Sequence, residues 1–322
     1  MNLSNGTLTV RVARVEDVTP EIRRLTLVAP DHRHLPAFSA GSHIVVMIPS
    51  QPTALRNAYS LMSSPYDASS YQIAVRHVPE GRGGSRHLHT AIAAGDLLEV
   101  TAPVNLFPLV KQARLQLFIA GGVGITPVMS QLEELSLGHV PFELHYAVRG
   151  AEHAQLGEEL QRRYGDRVRL YRKGVDARLD IPAVLVERPL GSHVYVCGPD
   201  SMIDATVAAA AALGWTPSHI HYERFLEQGS AGEAFSFTMA RSGVTIEVSP
   251  DQSMLEAIEA AGLEIPYLCR GGACGYCETA VLELDGELLH TDDWLSDEDK
   301  AANRKIMPCI SRAHCTRLVL DL

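Results

Sequence analysis

The chain has 322 residues, enough for two or three domains, and its 46 % hydrophobic and 20 % charged residues exclude a disordered chain. A formal net charge of −10 argues against a nucleic-acid partner held through phosphate contacts. The most apolar stretch, Ala205 to Trp215, is shorter than the roughly 18 residues of a membrane-spanning helix, so we predict no membrane association. Met1 to Gly6 lacks an export signal, which predicts a cytoplasmic protein.

The first hundred residues predict an antiparallel β-barrel. Short segments with alternating or continuous apolar residues are separated by glycine and proline turns, a spacing typical of such barrels. The predicted strands are Thr7–Val15, Glu21–Val28, Ser42–Ile48, Asn57–Met62, Tyr71–His77 and Leu97–Thr101.

After Pro108 strands and helices alternate, which predicts a parallel sheet with helices on both faces. The predicted strands are Leu115–Ala120, Phe142–Val148, Arg167–Tyr171, His193–Cys197 and His219–Phe225, with helices from about Thr126 to Leu137, Ala154 to Tyr164 and Ser201 to Leu213. Leu226 to Glu233 is polar and predicts a flexible linker. Beyond it we predict strands Phe235–Met239, Val244–Val248, Thr279–Leu284 and Leu318–Leu320, and a short helix near Met254–Ala261.

Four cysteines near the C-terminus form the strongest motif. Cys269, Cys274 and Cys277 follow the spacing C-x4-C-x2-C, and Cys309 comes later in the chain. This is the spacing of a plant-type [2Fe–2S] site, in which three thiolates on one loop and a distant fourth hold two irons. The residues between them are mostly small, which allows backbone N–H groups to approach the cluster sulfurs.

A structural zinc site is the alternative, but zinc favours paired C-x2-C knuckles and only one such pair is present. Cys197 and Cys315 lie outside the motif, and we interpret Cys315 as a small core residue. The two His-x-His pairs are interpreted as ordinary side chains: His87/His89 and His219/His221.

Two glycine-containing turns predict a nucleotide site. Gly121 to Pro127 (G-G-V-G-I-T-P) follows an apolar strand and opens a helix, so backbone can approach a diphosphate or nicotinamide with no Cβ in the way. A tight packing turn is the alternative, since the spacing is not G-x-G-x-x-G. Cys197-Gly198-Pro199 ends a later strand and strengthens the nucleotide interpretation.

The predicted barrel carries two further candidate segments. Arg56, Ala58 and Ser60 lie on one face of a strand and Tyr59 on the other. Gly81 to Ser85 (G-R-G-G-S) can cradle a phosphate through free backbone N–H groups and a hydroxyl, with Arg56 or Arg82 adding charge.

These motifs, in this order and together with Ala74-Val75-Arg76 and Tyr222-Glu223-Arg224-Phe225, resemble the phthalate dioxygenase reductase family, and within it the reductases of Rieske-type oxygenases. The resemblance spans essentially the whole chain. It implies an FMN-binding β-barrel over residues 1–110, an α/β NAD-binding domain of ferredoxin-reductase type over 111–228, and an α+β plant-type [2Fe–2S] ferredoxin domain over 229–322.

The resemblance also implies roles for individual residues. Arg56, Arg82, Gly83, Gly84 and Ser85 would bind the FMN phosphate, Tyr59 would pack by the flavin, Ser60 would hydrogen-bond near its N5, Ala74, Val75 and Arg76 would edge the ring, and Phe225 would cover it. Gly121, Gly122, Gly124 and Thr126 would line the nicotinamide cofactor cleft, with Cys197, Gly198 and Met202 beside the nicotinamide. Ser60, Cys197 and Phe225 are therefore the predicted catalytic residues, and Cys269, Cys274, Cys277 and Cys309 the metal ligands.

The function implied is electron transfer from NAD(P)H through FMN and a [2Fe–2S] cluster to a terminal oxygenase. A flavin accepts two electrons together and releases them singly, which a cluster requires. Arg149 and the nearby Glu152 leave NADH or NADPH open, and we favour NADH. Alternatives are a free-standing NADH:acceptor oxidoreductase, or an electron-transfer subunit of another complex such as that of dihydroorotate dehydrogenase.

Charge predicts where the partner binds. From Glu233 onward the chain has 16 Asp and Glu against 7 Lys and Arg, a net −9 of the total −10. We predict that the acidic ferredoxin domain docks the oxygenase, with Asp292, Asp293, Asp297, Glu298 and Asp299 as the candidate edge. A merely solvated surface is the alternative.

Overall fold

The computed structural model describes residues 7–31, 33–49, 54–138, 140–225 and 232–322. Met1 to Gly6, for which we predicted no export signal, and nearly all of the predicted linker lie outside these described residues. The chain divides into two compact units, Met1–Pro79 with Gly83–Phe225 and Glu80–Arg82 with Leu226–Leu322. Within the described residues, no helix has the length and apolar character needed to cross a membrane.

The N-terminal sheet is antiparallel, as predicted. Its strands and one helix are β1 (Thr7–Thr19), β2 (Ile22–Val28), β3 (Ser42–Ile48), β4 (Leu55–Ser60), β5 (Ser70–Arg76), α1 (Gly84–Thr90), β6 (Leu97–Thr101) and β7 (Val104–Asn105). The strand order is β4-β3-β6-β1-β2-β5, with β7 paired to β3. Met62 N–H donates to the Gln72 carbonyl at 2.9 Å, which links the end of β4 to β5. Alternate residues such as Val10 and Val12 point into an apolar core.

Two local predictions in this region were wrong. The predicted strand Asn57–Met62 ends at Ser60, and α1 was not predicted. His87 and His89 lie on α1, which begins after Gly83, whose φ is +99°.

The second sheet is parallel, with helices after each inner strand. It contains β8 (Leu115–Gly121), α2 (Ile125–Ser136), β9 (Phe142–Val148), α3 (Gln155–Tyr164), β10 (Val168–Arg172), α4 (Ile181–Leu185), β11 (Ser192–Cys197), α5 (Asp200–Ala212) and β12 (Ile220–Glu223). The order is β10-β9-β8-β11-β12, so the chain reverses direction across the sheet between β8 and β11. Ligands bind at such a switch point in open α/β sheets. β12 ends at Glu223, two residues earlier than predicted, which leaves Phe225 outside the sheet.

The barrel and the parallel sheet share one core. Val18, Ile22 and Phe107 from the barrel pack with Phe118, Tyr195 and Ile125 from the second sheet and its helix. Arg24 on β2 also donates to Glu159 on α3 at 3.1 Å. This packing holds the two sheets of the first unit together.

The C-terminal unit is a separate α+β fold with its own core. Its elements are β13 (Phe235–Met239), β14 (Thr245–Val248), α6 (Met254–Ala260), β15 (Thr279–Leu289), α7 (Asp297–Ala302), β16 (Lys305–Ile306) and β17 (Arg312–Leu320). The strand order is β14-β13-β17-β15-β16, with β13 and β17 parallel and the other pairs antiparallel. A capping box starts α6, because Ser253 accepts from Glu256 N–H and Glu256 accepts from Ser253 N–H.

Candidate functional site

The glycine turn after β8 lies directly against the turn after β11. A Cβ on Gly124 would lie 2.3 Å from the Cys197 carbonyl oxygen, and one on Gly198 would lie 3.0 Å from Gly121 N. Met202, in the first turn of α5, lies beside both turns, since Cβ atoms on Gly121 and Gly198 would come within 3.0 and 3.1 Å of its sulfur. Two bare backbone turns therefore meet at the switch point between β8 and β11, and no larger residue fits there.

The turn after β8 is fixed by hydrogen bonds. The buried Thr126 hydroxyl donates to the Val123 carbonyl at 2.9 Å, and the Tyr146 hydroxyl donates to the Gly122 carbonyl at 2.9 Å. Gly122 has φ +54°, a conformation that favours glycine. Thr126 thus stabilises, through its side chain, the turn that leads into α2.

A serine from the barrel and a carboxyl group from the parallel sheet meet at the same edge. Ser60, at the end of β4, donates from Oγ to Glu223 Oε2 at 3.5 Å. Glu223 ends β12 and pairs in register with Cys197 on β11. Burial raises the pKa of Glu223 to about 8. The carboxyl group is therefore mostly protonated at neutral pH and able to donate a hydrogen bond.

Cys197 is fully buried at this junction. Burial, and secondarily the Glu223 carboxylate, raise the pKa of its thiol well above the usual value. A thiol that stays protonated is a poor nucleophile, so Cys197 can act as a neutral neighbour of a bound ligand and not as an attacking group.

Glu223 is the residue to which the sequence reasoning gave no role. The signal was present, since Glu223 is an acidic residue at the carboxyl end of a strand beside the switch point. Its significance depends on burial and on the contact with Ser60, 163 positions away, and neither can be read from local sequence.

The residues predicted for the flavin ring lie on β4 and β5. Tyr59 is held by a hydrogen bond from Asn57 Nδ2 at 3.3 Å, and burial raises the pKa of its phenol to about 12. Ala74 and Val75 are buried and Arg76 is half-buried at the end of β5. Phe225 follows β12 with 40 % of its side chain exposed.

The predicted phosphate loop runs from Gly81 into α1. A Cβ on Gly84 would lie 2.6 Å from Asn57 Nδ2, so the loop passes close to β4, which carries Arg56. The Ser85 hydroxyl accepts from Val78 N–H at 3.1 Å and thus closes the loop. Arg82 belongs to the second compact unit, where its guanidinium group donates to both oxygens of Glu256 at 3.1 Å.

The four predicted metal ligands come together in the C-terminal unit. The Cys269 thiol interacts with the thiols of Cys274 and Cys309, and the Cys277 thiol with that of Cys309, so that each thiol affects the pKa of its neighbours. Three of the four are buried, and Cys274 is half-buried. Gly271 N–H and Ala273 N–H donate to the Cys269 sulfur at 3.3 and 3.4 Å. These thiols and amide donors suit an anionic cluster of iron and sulfide.

The loop Cys269–Cys277, which carries three of these thiols and is called the ligand loop below, is held in place by two contacts. Arg270, a buried residue with φ +56°, donates to both oxygens of Glu259 at 2.7 and 2.6 Å. Gly272, with φ +72°, lies against Asp292, since a Cβ there would come within 2.9 Å of the Asp292 backbone. Small residues and glycine conformations are therefore needed for the loop to fold around its thiols.

The predicted acidic edge is only partly at the surface. Asp292 is 3 % exposed, and its carboxylate accepts from Leu295 N–H at 2.8 Å and from the Ser311 hydroxyl at 3.1 Å. It was wrongly included in the edge, because it is a buried hydrogen-bond acceptor under the loop. Asp293, Asp297 and Glu298 are exposed.

Family models match all three sheets. Residues 9–108 match an oxidoreductase FAD-binding domain, residues 103–220 a dimethylamine monooxygenase subunit DmmA-like N-terminal domain, and residues 237–314 a 2Fe-2S iron-sulfur cluster binding domain.

Relatives match along nearly the whole chain. The carnitine monooxygenase reductase subunit of Escherichia coli strain K12 is 43 % identical, with 97 % of this chain and 98 % of that protein covered. The heme-dependent oxidative N-demethylase beta subunit of Ectopseudomonas mendocina is 43 % identical, with 98 % and 99 % covered. The solved structure of phthalate dioxygenase reductase superimposes with a TM-score of 0.87 at 32 % identity, covering 99 % and 98 % of the two chains.

These findings define an oxidoreductase with a flavin module, a nucleotide module and a [2Fe–2S] module. The chain belongs to the phthalate dioxygenase reductase family, the electron-transfer reductases of oxygenase systems.

Proposed function

We propose that the chain takes electrons from NADH, carries them on FMN and a [2Fe–2S] cluster, and delivers them singly to a terminal oxygenase of the Rieske type. Two features that occur in one chain support this proposal. The first is a candidate cofactor cleft formed by the glycine turns after β8 and β11, with Ser60 and Glu223 at its edge, and the second is the group of four neighbouring thiols in the C-terminal unit. Bound flavin supplies the conversion of a two-electron donor to one-electron transfer. Three domains over 1–110, 111–228 and 229–322 accommodate these tasks.

The cleft residues bind and orient the nicotinamide. Gly121, Gly124 and Gly198 let the two turns pack together beside Met202, and Gly122 leaves open space for the nicotinamide to approach the backbone, since a Cβ there would meet nothing within 4 Å. Cys197 provides a neutral wall. The protonated Glu223 donates a hydrogen bond toward the cofactor, and Ser60 holds that carboxyl group in place. Reactive geometry, and not a strong base, accounts for most of the rate.

FMN is favoured over FAD by the loop before α1. Gly83 and Gly84 expose backbone N–H groups close to β4, which carries Arg56, and this arrangement suits a terminal phosphate. Tyr59 and the backbone of Ala74, Val75 and Arg76 then border the ring, with Ser85 closing the loop. Mass spectrometry of heat-released flavin tests this: we expect FMN, and FAD would refute it.

NADH is favoured over NADPH by the surroundings of Arg149. This guanidinium group follows β9 and lies 3.3 Å from Glu21, and Glu152 is close in sequence. The 2′-phosphate of NADPH would have to compete with the carboxylates of Glu21 and Glu152 for the Arg149 guanidinium group. We expect kcat/KM for NADH to exceed that for NADPH, measured as flavin reduction, and the reverse order would contradict the assignment.

The relatives suggest a second class of electron acceptor besides a Rieske-type oxygenase. Relatives of similar identity include a heme-dependent oxidative N-demethylase beta subunit as well as a carnitine monooxygenase reductase subunit. We propose the Rieske type, since vanillate O-demethylase oxidoreductase of Acinetobacter baylyi is also similar, at 34 % identity. Purified oxygenases of both types, compared as acceptors at equal concentration, decide between them.

A further inference from the structure

Two exposed aromatic side chains lie at the ligand loop of the C-terminal unit, one on the loop and one packed against it. Tyr276 lies between Cys274 and Cys277 and is 63 % exposed, and Trp294 is 50 % exposed. The rest of the loop is glycine, alanine, the half-buried Cys274 and buried residues. Large exposed aromatic side chains are typical of protein interfaces, because their burial against a partner contributes much of the binding free energy.

Trp294 is fixed against the loop. A Cβ on Gly275 would lie 2.3 Å from Trp294 Cε2, so the indole ring lies directly on the Gly275 backbone. The indole Nε1–H donates to Glu278 Oε2 at 2.8 Å, and Glu278 accepts from Lys305 at 3.0 Å. The ring is therefore held in one position before any partner arrives, which lowers the entropy cost of binding.

Acidic residues flank this aromatic pair. Asp293 precedes Trp294, and Asp297 and Glu298 lie in the first turn of α7, all exposed. The excess negative charge of the whole chain is concentrated from Glu233 onward. A partner must therefore present positive charge around the place where the aromatic rings bind.

We propose that Tyr276 and Trp294 form the contact through which a basic electron acceptor docks, with an apolar depression on the acceptor ringed by Lys and Arg. This inference rests on the proposed function and adds the residues at which electrons leave. One electron passes from the reduced cluster to a ferric centre in the acceptor, so the cluster is oxidised by one electron as the acceptor becomes ferrous. The acidic residues attract the acceptor and the aromatic pair positions it.

Binding without turnover tests the proposal. Oxidised full-length holoprotein is titrated calorimetrically with ferricytochrome c, a basic heme protein, at low ionic strength. We expect Trp294→Ala and Tyr276→Ala each to raise Kd about tenfold, as truncation of an interface aromatic residue does. Tyr66→Ala is the matched control, since Tyr66 is 62 % exposed on the other unit and should bind as the parent does.

Two outcomes would overturn the proposal: no binding by the parent protein, or equal affinity in the parent and both loop variants. Visible absorbance and iron content verify that Trp294→Ala keeps its cluster. If it does not, Trp294→Phe and Tyr276→Ala decide, because the first keeps a ring on Gly275 and the second leaves Trp294 intact. NADH-driven flavin bleaching is measured separately. Its absence from the parent would refute the proposed function and leave the binding result standing.

Discussion

The cleft of the first unit and the ligand loop of the second both depend on glycine, but for opposite purposes. Gly124 lets backbone pack on backbone at the Cys197 carbonyl, in the part of the chain whose charge is nearly balanced. Gly275 lets a large side chain, Trp294, lie on the ligand loop and remain half exposed. Up to Gly232 the chain has 21 Lys and Arg against 22 Asp and Glu, whereas the remainder carries a net −9.

This contrast shows how two requirements are divided within the chain. A site that orients a small cofactor needs rigid, close-packed backbone, and charge distant from the reaction matters little. A site that hands electrons to another protein needs a surface that the partner recognises, through charge and exposed aromatic side chains.

Removal of one proposed cluster ligand should stop electron transfer to the acceptor and leave flavin reduction by NADH unchanged. We expect Cys274→Ser to lower cytochrome c reduction about 100-fold, because the thiolate that it loses is one of the four proposed iron ligands. Stopped-flow bleaching of the flavin by NADH should persist. Cys315→Ser is the control, since Cys315 lies outside the ligand loop. Loss of flavin bleaching in Cys274→Ser would show that the two regions are not independent.

The Glu223 carboxyl group should control the rate of flavin reduction. With a pKa of about 8, it is protonated at neutral pH and loses its proton as the pH rises. We expect the parent rate of flavin reduction to fall through pH 8, and Glu223→Gln, which always donates, to be flat there. Ser60→Ala should be slower by roughly 10²-fold at pH 7, because the carboxyl group is no longer positioned. An unchanged pH profile in Glu223→Gln would refute this role.

The same group should affect stability. Its folded-state pKa lies above the value near 4.5 of the unfolded chain, so its contribution is fully present below pH 4.5 and is lost as the pH rises through 8. Denaturant unfolding of the parent protein should weaken over that range more than unfolding of Glu223→Gln. Parallel stability curves for the two proteins would contradict the burial of this group.

Added volume at the switch point should damage the cleft alone. In Gly124→Ala the new methyl group meets the Cys197 carbonyl, so we expect a loss of about 1–3 kcal/mol in unfolding free energy and about tenfold slower flavin reduction. Gly138→Ala is the control, because its Cβ would have only an ordinary contact at 3.7 Å. Cluster absorbance should match the parent in both variants. Equal stability of the two variants would refute the close packing of the turns.

Salt should slow electron transfer to the acceptor and leave flavin reduction by NADH unaffected. From about 0.05 M to about 0.5 M ionic strength, we expect cytochrome c reduction to slow about tenfold while flavin reduction barely changes. Charge reversal at Asp297 and Glu298 should flatten this dependence, and Glu247→Lys, exposed on β14, is the control for net charge. Equal salt dependence of both steps would leave the acidic surface with no docking role.

Phe225 should give the smallest effect. It is exposed and follows the last strand of the cleft, so we expect Phe225→Ala to alter the apparent affinity for NADH a few-fold and to retain flavin. The measurement is flavin content together with flavin reduction at several NADH concentrations. A flavin-free variant would identify Phe225 as a structural clamp.

The fold could be predicted from sequence where period and composition agree. Strands β3, β6, β9 and β13 have the predicted bounds, because alternation or continuous apolar residues lie between clear turn residues. Helices α1, α4 and α7 were missed. They are five to seven residues long, and caps and tertiary contacts, such as the Asp180 cap on α4, stabilise them more than periodicity does.

The sequence predicted those parts of the site that are formed by local motifs. The cysteine spacing identified the thiols that lie together, and the glycine turns after β8 and β11 marked the switch point. The burial of Asp292 could not be read from composition, so it was taken for a surface charge, and the half-buried Glu223 was given no role. Both depend on contacts between residues far apart in sequence.

On the unmodified protein, one experiment can follow whether electrons enter at the cleft and leave only through the cluster held by the four thiols. Anaerobic stopped-flow mixing with NADH resolves the flavin and cluster absorbance bands over time. We predict that flavin absorbance falls first and cluster absorbance second, at a rate independent of protein concentration. Cluster bleaching that precedes flavin bleaching, or that fails to follow it, would contradict the account.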